Sequence, residues 1–131
     1  MIYLDSSVVL AELLAEDERP PDSLWDDTLV SSRLLEYEVW TRIHALKLAQ
    51  SHGDAVRALI GRVALLELVP PVLSRALEPF PRPVRTLDAL HAASADFLRQ
   101  RQPAIQVATY DMRLADIASA LGFTLYPLQR P

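Results

Sequence analysis

The chain has 131 residues, half of them hydrophobic, and no cysteine, which predicts one compact domain over residues 1–131 and excludes disulfides, thiolate metal sites and a cysteine nucleophile. No apolar run approaches the roughly 20 residues of a membrane span and no signal-like segment begins the chain, so we expect a cytoplasmic protein without a membrane partner. The net charge of −4 argues against a simple nucleic-acid-binding module, but less against a nuclease whose acidic metal ligands lower the total.

Strand-like and helix-like spacings of apolar residues alternate along the chain. The proline-containing stretches EDERPPD and PFPRPV interrupt this alternation and predict loops. We expect His52 and Gly53 to close the second helix, and Asp54 and Thr86 to cap the third and fourth. The predicted strands cover residues 2–5, 28–31, 67–69, 105–108 and 123–128. The predicted helices cover residues 6–15, 33–50, 54–65, 87–101 and 112–121.

This order of elements predicts an α/β domain, because parallel strands need helical crossovers. The expected architecture is a mostly parallel sheet of four or five strands with helices on both faces. Ligands of such sheets bind at the carboxyl ends of the strands. Asp5 ends the first predicted strand and Asp111 follows the fourth, so both carboxylates fall on that edge. Each has an alternative role as a helix N-cap.

The segment SSRLLEYEVW adds two glutamates on the second predicted helix. Residues two apart differ by roughly 200° around a helix axis, so Glu36 and Glu38 cannot both face one pocket. Arg42 lies one turn after Glu38, and a solvated salt bridge between them is the alternative to a role in a site. The residues alone leave this choice open.

The segment RTLDALHAASADF places Asp88 in the first turn of the fourth predicted helix, where the helix dipole favours an anion. Its alanines make the helix narrow enough to pack closely on the sheet. His91 lies one turn further and within reach of Asp88, although such a histidine more often has a structural role. Asp96 and Asp116 lie farther from the edge and are predicted to be surface residues, with Asp116 as a reserve ligand.

Carboxylates gathered at one edge of a sheet need a compensating charge. Two unit charges about 4 Å apart repel by about 4 kcal/mol at an effective dielectric constant near 20. A hard divalent cation such as Mg²⁺ offsets this repulsion with oxygen ligands and leaves positions for water and phosphate. The acidic set therefore points to metal-dependent hydrolysis of phosphodiesters.

Four motifs in order, YLDSS, SSRLLEYEV, TLDALHAASA and TYDMRLADIASALGF, resemble the PIN-domain ribonucleases, specifically the VapC-type toxins of bacterial toxin–antitoxin pairs. The resemblance spans essentially the whole chain. It implies a PIN-like fold and an endoribonuclease that depends on Mg²⁺, with Mn²⁺ as a substitute, and that commonly cleaves tRNA or ribosomal RNA. It also implies a homodimer and an inhibitory VapB-type antitoxin.

The resemblance also implies roles for individual residues. Two hydroxyl positions of the family match Ser6 and Thr109, which would orient carboxylates or bound water. Arg85 and Arg113 are nearest in sequence to the acids, and we expect them to contact RNA phosphates. The acidic quartet, which would bind metal and catalyse hydrolysis, matches Asp5, Glu38, Asp88 and Asp111.

Three alternative functions can be weighed against the sequence. A phosphoacceptor receiver domain requires a lysine near the site, whereas Lys47 is midway along a predicted helix. A haloacid-dehalogenase-like phosphatase requires an aspartate where this chain has Ser7. A catalytically silent PIN scaffold that binds RNA or a protein partner without cleavage stays open.

Overall fold

The computed structural model describes residues 1–14 and 18–128, and its centre is one five-stranded sheet. The strands are β1 (Ile2–Leu4), β2 (Leu29–Ser32), β3 (Ala64–Leu66), β4 (Gln106–Ala108) and β5 (Thr124–Leu125). Their order across the sheet is β3-β2-β1-β4-β5, and every neighbouring pair is parallel. The predicted α/β class and the mostly parallel sheet are confirmed.

Helices cover both faces of the sheet, as predicted. Side chains alternate along β1, so that Ile2 and Leu4 pack into one core while Tyr3 faces the other. The helices are α1 (Ser6–Leu14), α2 (Leu34–Ala45), α3 (Ala49–Ile60), α4 (Pro70–Ala76), α5 (Thr86–Arg99) and α6 (Met112–Ala120). The first core includes side chains of α1, α2 and α3, and the second includes side chains of α5 and α6. Among the helices of the described residues, none has the length and hydropathy of a membrane-crossing segment.

The boundary between the second and third predicted helices is wrong. After α2, Lys47 adopts φ of 58°, a left-handed conformation that stops a helix. His52, Gly53 and Asp54 all lie inside α3, so none of them closes or caps a helix there. Lysine rarely adopts this conformation, whereas glycine adopts it readily. A break at Lys47 therefore gives no signal in the sequence, whereas Gly53 nearby is a typical sign of a helix end.

Other boundaries also differ from the predictions. The third strand comes three residues earlier than expected, and Pro70 and Pro71 begin α4, which was not predicted. Proline fits the first turn of a helix because no N–H is needed there. Thr86 is the first residue of α5 rather than its cap, and a short 3-10 helix, Asp22–Asp26, follows the proline-containing loop. The predicted end of the first helix at residue 15 and the loop residues 16–17 lie outside the described residues.

The strand order reverses between β1 and β4, the two neighbours at the centre of the sheet. Both strands end at the same edge, where the backbone N–H of Asp5 donates to the carbonyl oxygen of Ala108 over 3.1 Å. Connections that leave such a reversal toward opposite faces open a crevice between them. This crevice is the place where the sequence predicts the acidic residues to meet.

Candidate active site

Asp5 lies at the centre of this edge, between β1 and α1, and only 6% of its surface is exposed. Its Oδ2 atom accepts hydrogen bonds from the hydroxyls of Ser7, over 2.7 Å, and Thr109, over 2.8 Å. The Ser7 hydroxyl in turn accepts from the backbone N–H of Tyr110. The carboxylate of Asp5 is thus fixed by neutral groups from both central strand ends.

Ser7 is a residue that the sequence reasoning missed. The motif YLDSS holds two adjacent serines, and the predicted orienting hydroxyl was that of Ser6. The hydroxyl that contacts Asp5 is that of Ser7, whereas the predicted contact of Thr109 with the acids is present. The position of Ser7 was the available signal, because the backbone N–H of the second helical residue donates to the side chain of the residue before the helix, as Ser7 does to Oδ2 of Asp5 over 3.4 Å.

Glu38 is held by a histidine rather than by Arg42. The Nε2–H group of His91 donates to Oε1 of Glu38 over 2.5 Å, and the Glu38 side chain is 22% exposed. Glu36 turns away and pairs with Arg33 over 3.0 Å. The prediction that the two glutamates face different directions is confirmed, and it is Glu38 that faces the crevice.

His91 is almost fully buried, with 2% of its surface exposed, although a structural role was the expectation from the sequence. Burial by itself lowers the pKa of His91, but the hydrogen bond and charge of Glu38, together with the charges of Asp5 and Asp88, outweigh burial and raise the pKa overall. Its other ring nitrogen, Nδ1, lies 2.7 Å from the hydroxyl of Tyr3. The signal in the sequence was the spacing of three residues from Asp88 on one helix.

Three side chains come close enough to surround a metal ion. One ligand atom each of Asp5, Glu38 and His91 lies within 4.8 Å of the other two. Within the described residues, this tight group holds two of the four predicted acids together with a histidine that the prediction did not include. Carboxylate oxygens are the donors that hard divalent cations prefer.

Asp88 interacts electrostatically with Asp111 and with members of this candidate metal-binding group. Burial raises the pKa of Asp88, and the negative charges of Asp111 and Asp5 raise it further, while Arg113 opposes them. Asp111 is also the N-cap of α6, since its Oδ1 accepts from the backbone N–H of Arg113 over 2.9 Å. Capping and a place beside the other acids are therefore compatible at this position.

The two other acids considered from the sequence, Asp96 and Asp116, are paired with arginines. Asp116 pairs with Arg82 over 3.2 Å, so the reserve ligand is engaged elsewhere. Asp96 is not simply a surface residue, because it is partly buried and pairs with Arg75 and Arg99. Arg85, three residues before Asp88, is exposed at the start of α5. Of the two arginines predicted to contact RNA, Arg113 is the one whose charge acts on Asp88.

Comparisons with known proteins show the family of this chain. Residues 2–120 match the PIN domain family. The chain is 32% identical over 131 residues to ribonuclease VapC35 of Mycobacterium tuberculosis, with 95% of both chains covered. It is 33% identical over 127 residues to ribonuclease VapC46 of the same organism, again with 95% of both chains covered. Ribonuclease VapC47 is 28% identical over 130 residues, with 94% of this chain and 93% of the relative covered.

Proposed function

This chain belongs to the PIN-domain family, and from that membership we propose that it is a divalent-metal-dependent endoribonuclease toxin of the VapC type. The observation that carries the proposal is the convergence of acidic side chains from separate parts of the chain at the edge formed by β1 and β4. Asp5 and Glu38 share one tight group, and the charges of Asp5 and Asp111 act on Asp88. The names of the VapC relatives supply the substrate class, RNA.

The donor set fits a hard cation. Asp5 is nearly buried, and within the described part of the chain its carboxylate is held by hydroxyls and a backbone N–H rather than by an arginine or lysine. A buried carboxylate of this kind needs a compensating charge. We propose Mg²⁺, with Mn²⁺ as a substitute, bound by Asp5 and Asp88 and completed by Glu38 and Asp111.

The chain's own groups prepare the reaction in distinct ways. When bound, the cation supplies the positive charge that orients the scissile phosphate and lowers the pKa of the attacking water. Ser7 and Thr109 hold Asp5 in one orientation, so no reorganisation of that ligand is needed. Arg113, beside Asp88, and Arg85 at the start of α5 would contact flanking phosphates. Ser6 stays a predicted supporting residue.

We also propose a VapB-type antitoxin partner, a homodimer, and tRNA or ribosomal RNA as the substrate. The VapC names of the relatives support the antitoxin. An exposed apolar cleft beside the acids offers it a surface, since Glu38 lines this cleft together with Tyr37, which is 65% exposed, and Leu87, which is 47% exposed.

The test is cleavage of tRNA and ribosomal RNA by the purified protein with Mg²⁺, with Mn²⁺ and with EDTA. We expect cleavage with either cation and none with EDTA. Asp5→Asn should abolish cleavage while the circular dichroism spectrum stays that of the wild type. Asp54→Asn is the matched control, because Asp54 is exposed on α3 and should leave the rate unchanged.

Two results would contradict the proposal. Full activity of Asp5→Asn would exclude the proposed site. RNA binding by the wild type without cleavage under any cation would instead indicate the silent scaffold considered from the sequence.

A further inference from the structure

A chain of buried polar groups leads from the sheet to Glu38. The Tyr3 hydroxyl contacts Nδ1 of His91 over 2.7 Å, and Nε2 of the same ring contacts Oε1 of Glu38 over 2.5 Å. Tyr3 and His91 are 1% and 2% exposed, and their rings meet edge to face with centroids 5.9 Å apart. Tyr3 lies on β1, two residues before Asp5.

The direction of the bond to Glu38 does not depend on the charge of His91. A carboxylate oxygen only accepts, so Nε2 must carry a proton in both the neutral and the charged ring. In the neutral ring Nδ1 accepts the Tyr3 proton, and in the charged ring Nδ1–H donates to the Tyr3 oxygen. Both ring nitrogens are therefore engaged with protein groups in either state.

The protonation state of Tyr3, at the other end of this hydrogen-bonded network, is also fixed. Burial raises the pKa of Tyr3 well above its ordinary value, and nearby hydroxyls of Ser31, Ser32 and Ser94 offset only part of this effect. Tyr3 thus stays a neutral phenol that can donate. A buried polar network of this kind is costly unless each member is satisfied, and satisfied networks hold their members in one geometry.

We propose that Tyr3 and His91 act as positioning residues that orient the Glu38 carboxylate toward Asp5, and that His91 acts on metal binding only through Glu38. The proposal rests on the proposed function, because the orientation of Glu38 matters to the reaction only if Glu38 binds the cation. Groups that hydrogen-bond to metal ligands typically change metal affinity about 10- to 100-fold when they are removed.

The alternative is that His91 is itself a ligand, since its ring nitrogen belongs to the tight group with Asp5 and Glu38. A double-mutant cycle separates the two roles. We would measure the dissociation constant of Mn²⁺ by calorimetry for the wild type, His91→Asn, Glu38→Ala and the double variant. Unfolding in EDTA, followed by circular dichroism, shows which variants are folded at the temperature of the titration.

We expect His91→Asn to weaken Mn²⁺ binding about 10- to 100-fold in the wild-type background. In the Glu38→Ala background the same substitution should change the affinity by less than about twofold, because the residue through which His91 acts is gone. An equal loss in both backgrounds would show that His91 binds the cation directly and would overturn the proposal. No loss in the wild-type background would overturn it as well.

Conservative variants keep the test valid if His91→Asn does not fold. His91→Gln places an amide N–H near the position of Nε2 and should restore most of the affinity, whereas asparagine reaches only to the position of Nδ1. Tyr3→Phe removes a single hydroxyl and should weaken Mn²⁺ binding severalfold. His44→Asn, exposed on α2, is the matched control and should have no effect. Failure of glutamine to restore affinity in a folded variant would contradict the proposal.

The outcomes for the two proposals are distinguishable. If the wild type binds Mn²⁺ and cleaves RNA but the cycle shows equal losses in both backgrounds, the positioning role alone fails. If the wild type neither binds Mn²⁺ nor cleaves RNA, the proposed function fails and the positioning role fails with it.

Discussion

The acidic side chains of this protein lie in two contrasting environments. Away from the β1 and β4 edge, six acids of the described residues pair with arginines, as Asp96 does with Arg75 and Arg99. At the edge, Asp5 is held by the hydroxyls of Ser7 and Thr109. The acids that form arginine pairs are Glu12, Glu36, Asp54, Glu67, Asp96 and Asp116.

The difference is one of charge rather than of order. Carboxylates accept hydrogen bonds in both environments, but an arginine cancels the negative charge and a hydroxyl does not. Neighbouring uncancelled carboxylates repel by several kcal/mol at the dielectric constants of protein interiors. The proposed cation would supply the missing positive charge at the edge and leave coordination positions for a phosphate.

The strongest way to test this contrast is to neutralise one acid of the edge. Asp88→Asn should lower RNA cleavage by more than about 100-fold, since the loss of a group that merely hydrogen-bonds to a metal ligand already lowers activity about 10- to 100-fold. It should not lower the free energy of unfolding of the metal-free protein, because burial and the charges of Asp111 and Asp5 raise the pKa of Asp88 and so disfavour its charged form. Urea unfolding in EDTA measures the second effect. A clear loss of stability would break the contrast.

Addition of the cation should stabilise the fold through the edge alone. At a Mg²⁺ concentration 100 times the dissociation constant, the free energy of unfolding should rise by about 2.7 kcal/mol. Thermal unfolding with Mg²⁺ and with EDTA measures this gain. The gain should disappear in Asp88→Asn and persist in Asp54→Asn. The same gain in both variants would mean that the cation binds somewhere else.

Asp96 is the counterpart of Asp88 on the same helix, eight residues later, and the substitution there should have the opposite effects. Asp96→Asn leaves Arg75 and Arg99 without their carboxylate, in a place where the Asp96 side chain is only 22% exposed. We expect the free energy of unfolding to fall by about 1–2 kcal/mol, less than for a fully buried pair because water screens part of the interaction. Cleavage by the folded variant should be unchanged. A stability equal to that of the wild type would show that these pairs contribute nothing.

The sequence predicted the fold well where glycine, proline and apolar spacing carry the information. Gly122 adopts φ of 89° after α6, where the sequence predicts the end of a helix, and the sheet edge follows from the alternation of elements. The same left-handed geometry at Lys47 was missed, because lysine gives no compositional sign of it. The two helices on either side of that break, α2 and α3, contact each other, and such contacts cannot be derived from local spacing.

Asp5, Asp88 and Asp111 could be predicted as candidates because each follows a strand or lies at the start of a helix, whereas Glu38 was selected over Glu36 only by the family resemblance. The sequence could not show that the charge of Asp111 acts on Asp88, or that Glu38 is hydrogen-bonded to His91, since these pairs form only when distant segments fold together. His91 was the principal omission. A histidine on a helix has many roles, and only the approach of Tyr3 and Glu38 distinguishes this one.

The smallest expected effect is at Asp116, which tests whether the two environments are truly separate. Asp116 and Arg82 form an exposed pair, with side chains 58% and 54% accessible, and pairs of this kind contribute about 0–1 kcal/mol. Asp116→Asn should therefore change the free energy of unfolding by less than about 0.5 kcal/mol and leave the dissociation constant of Mn²⁺ unchanged. Calorimetry and urea unfolding measure both quantities. A weakened affinity for Mn²⁺ would return Asp116 to the set of ligands, and the arginine-paired acids could then no longer be treated as a group apart from the edge.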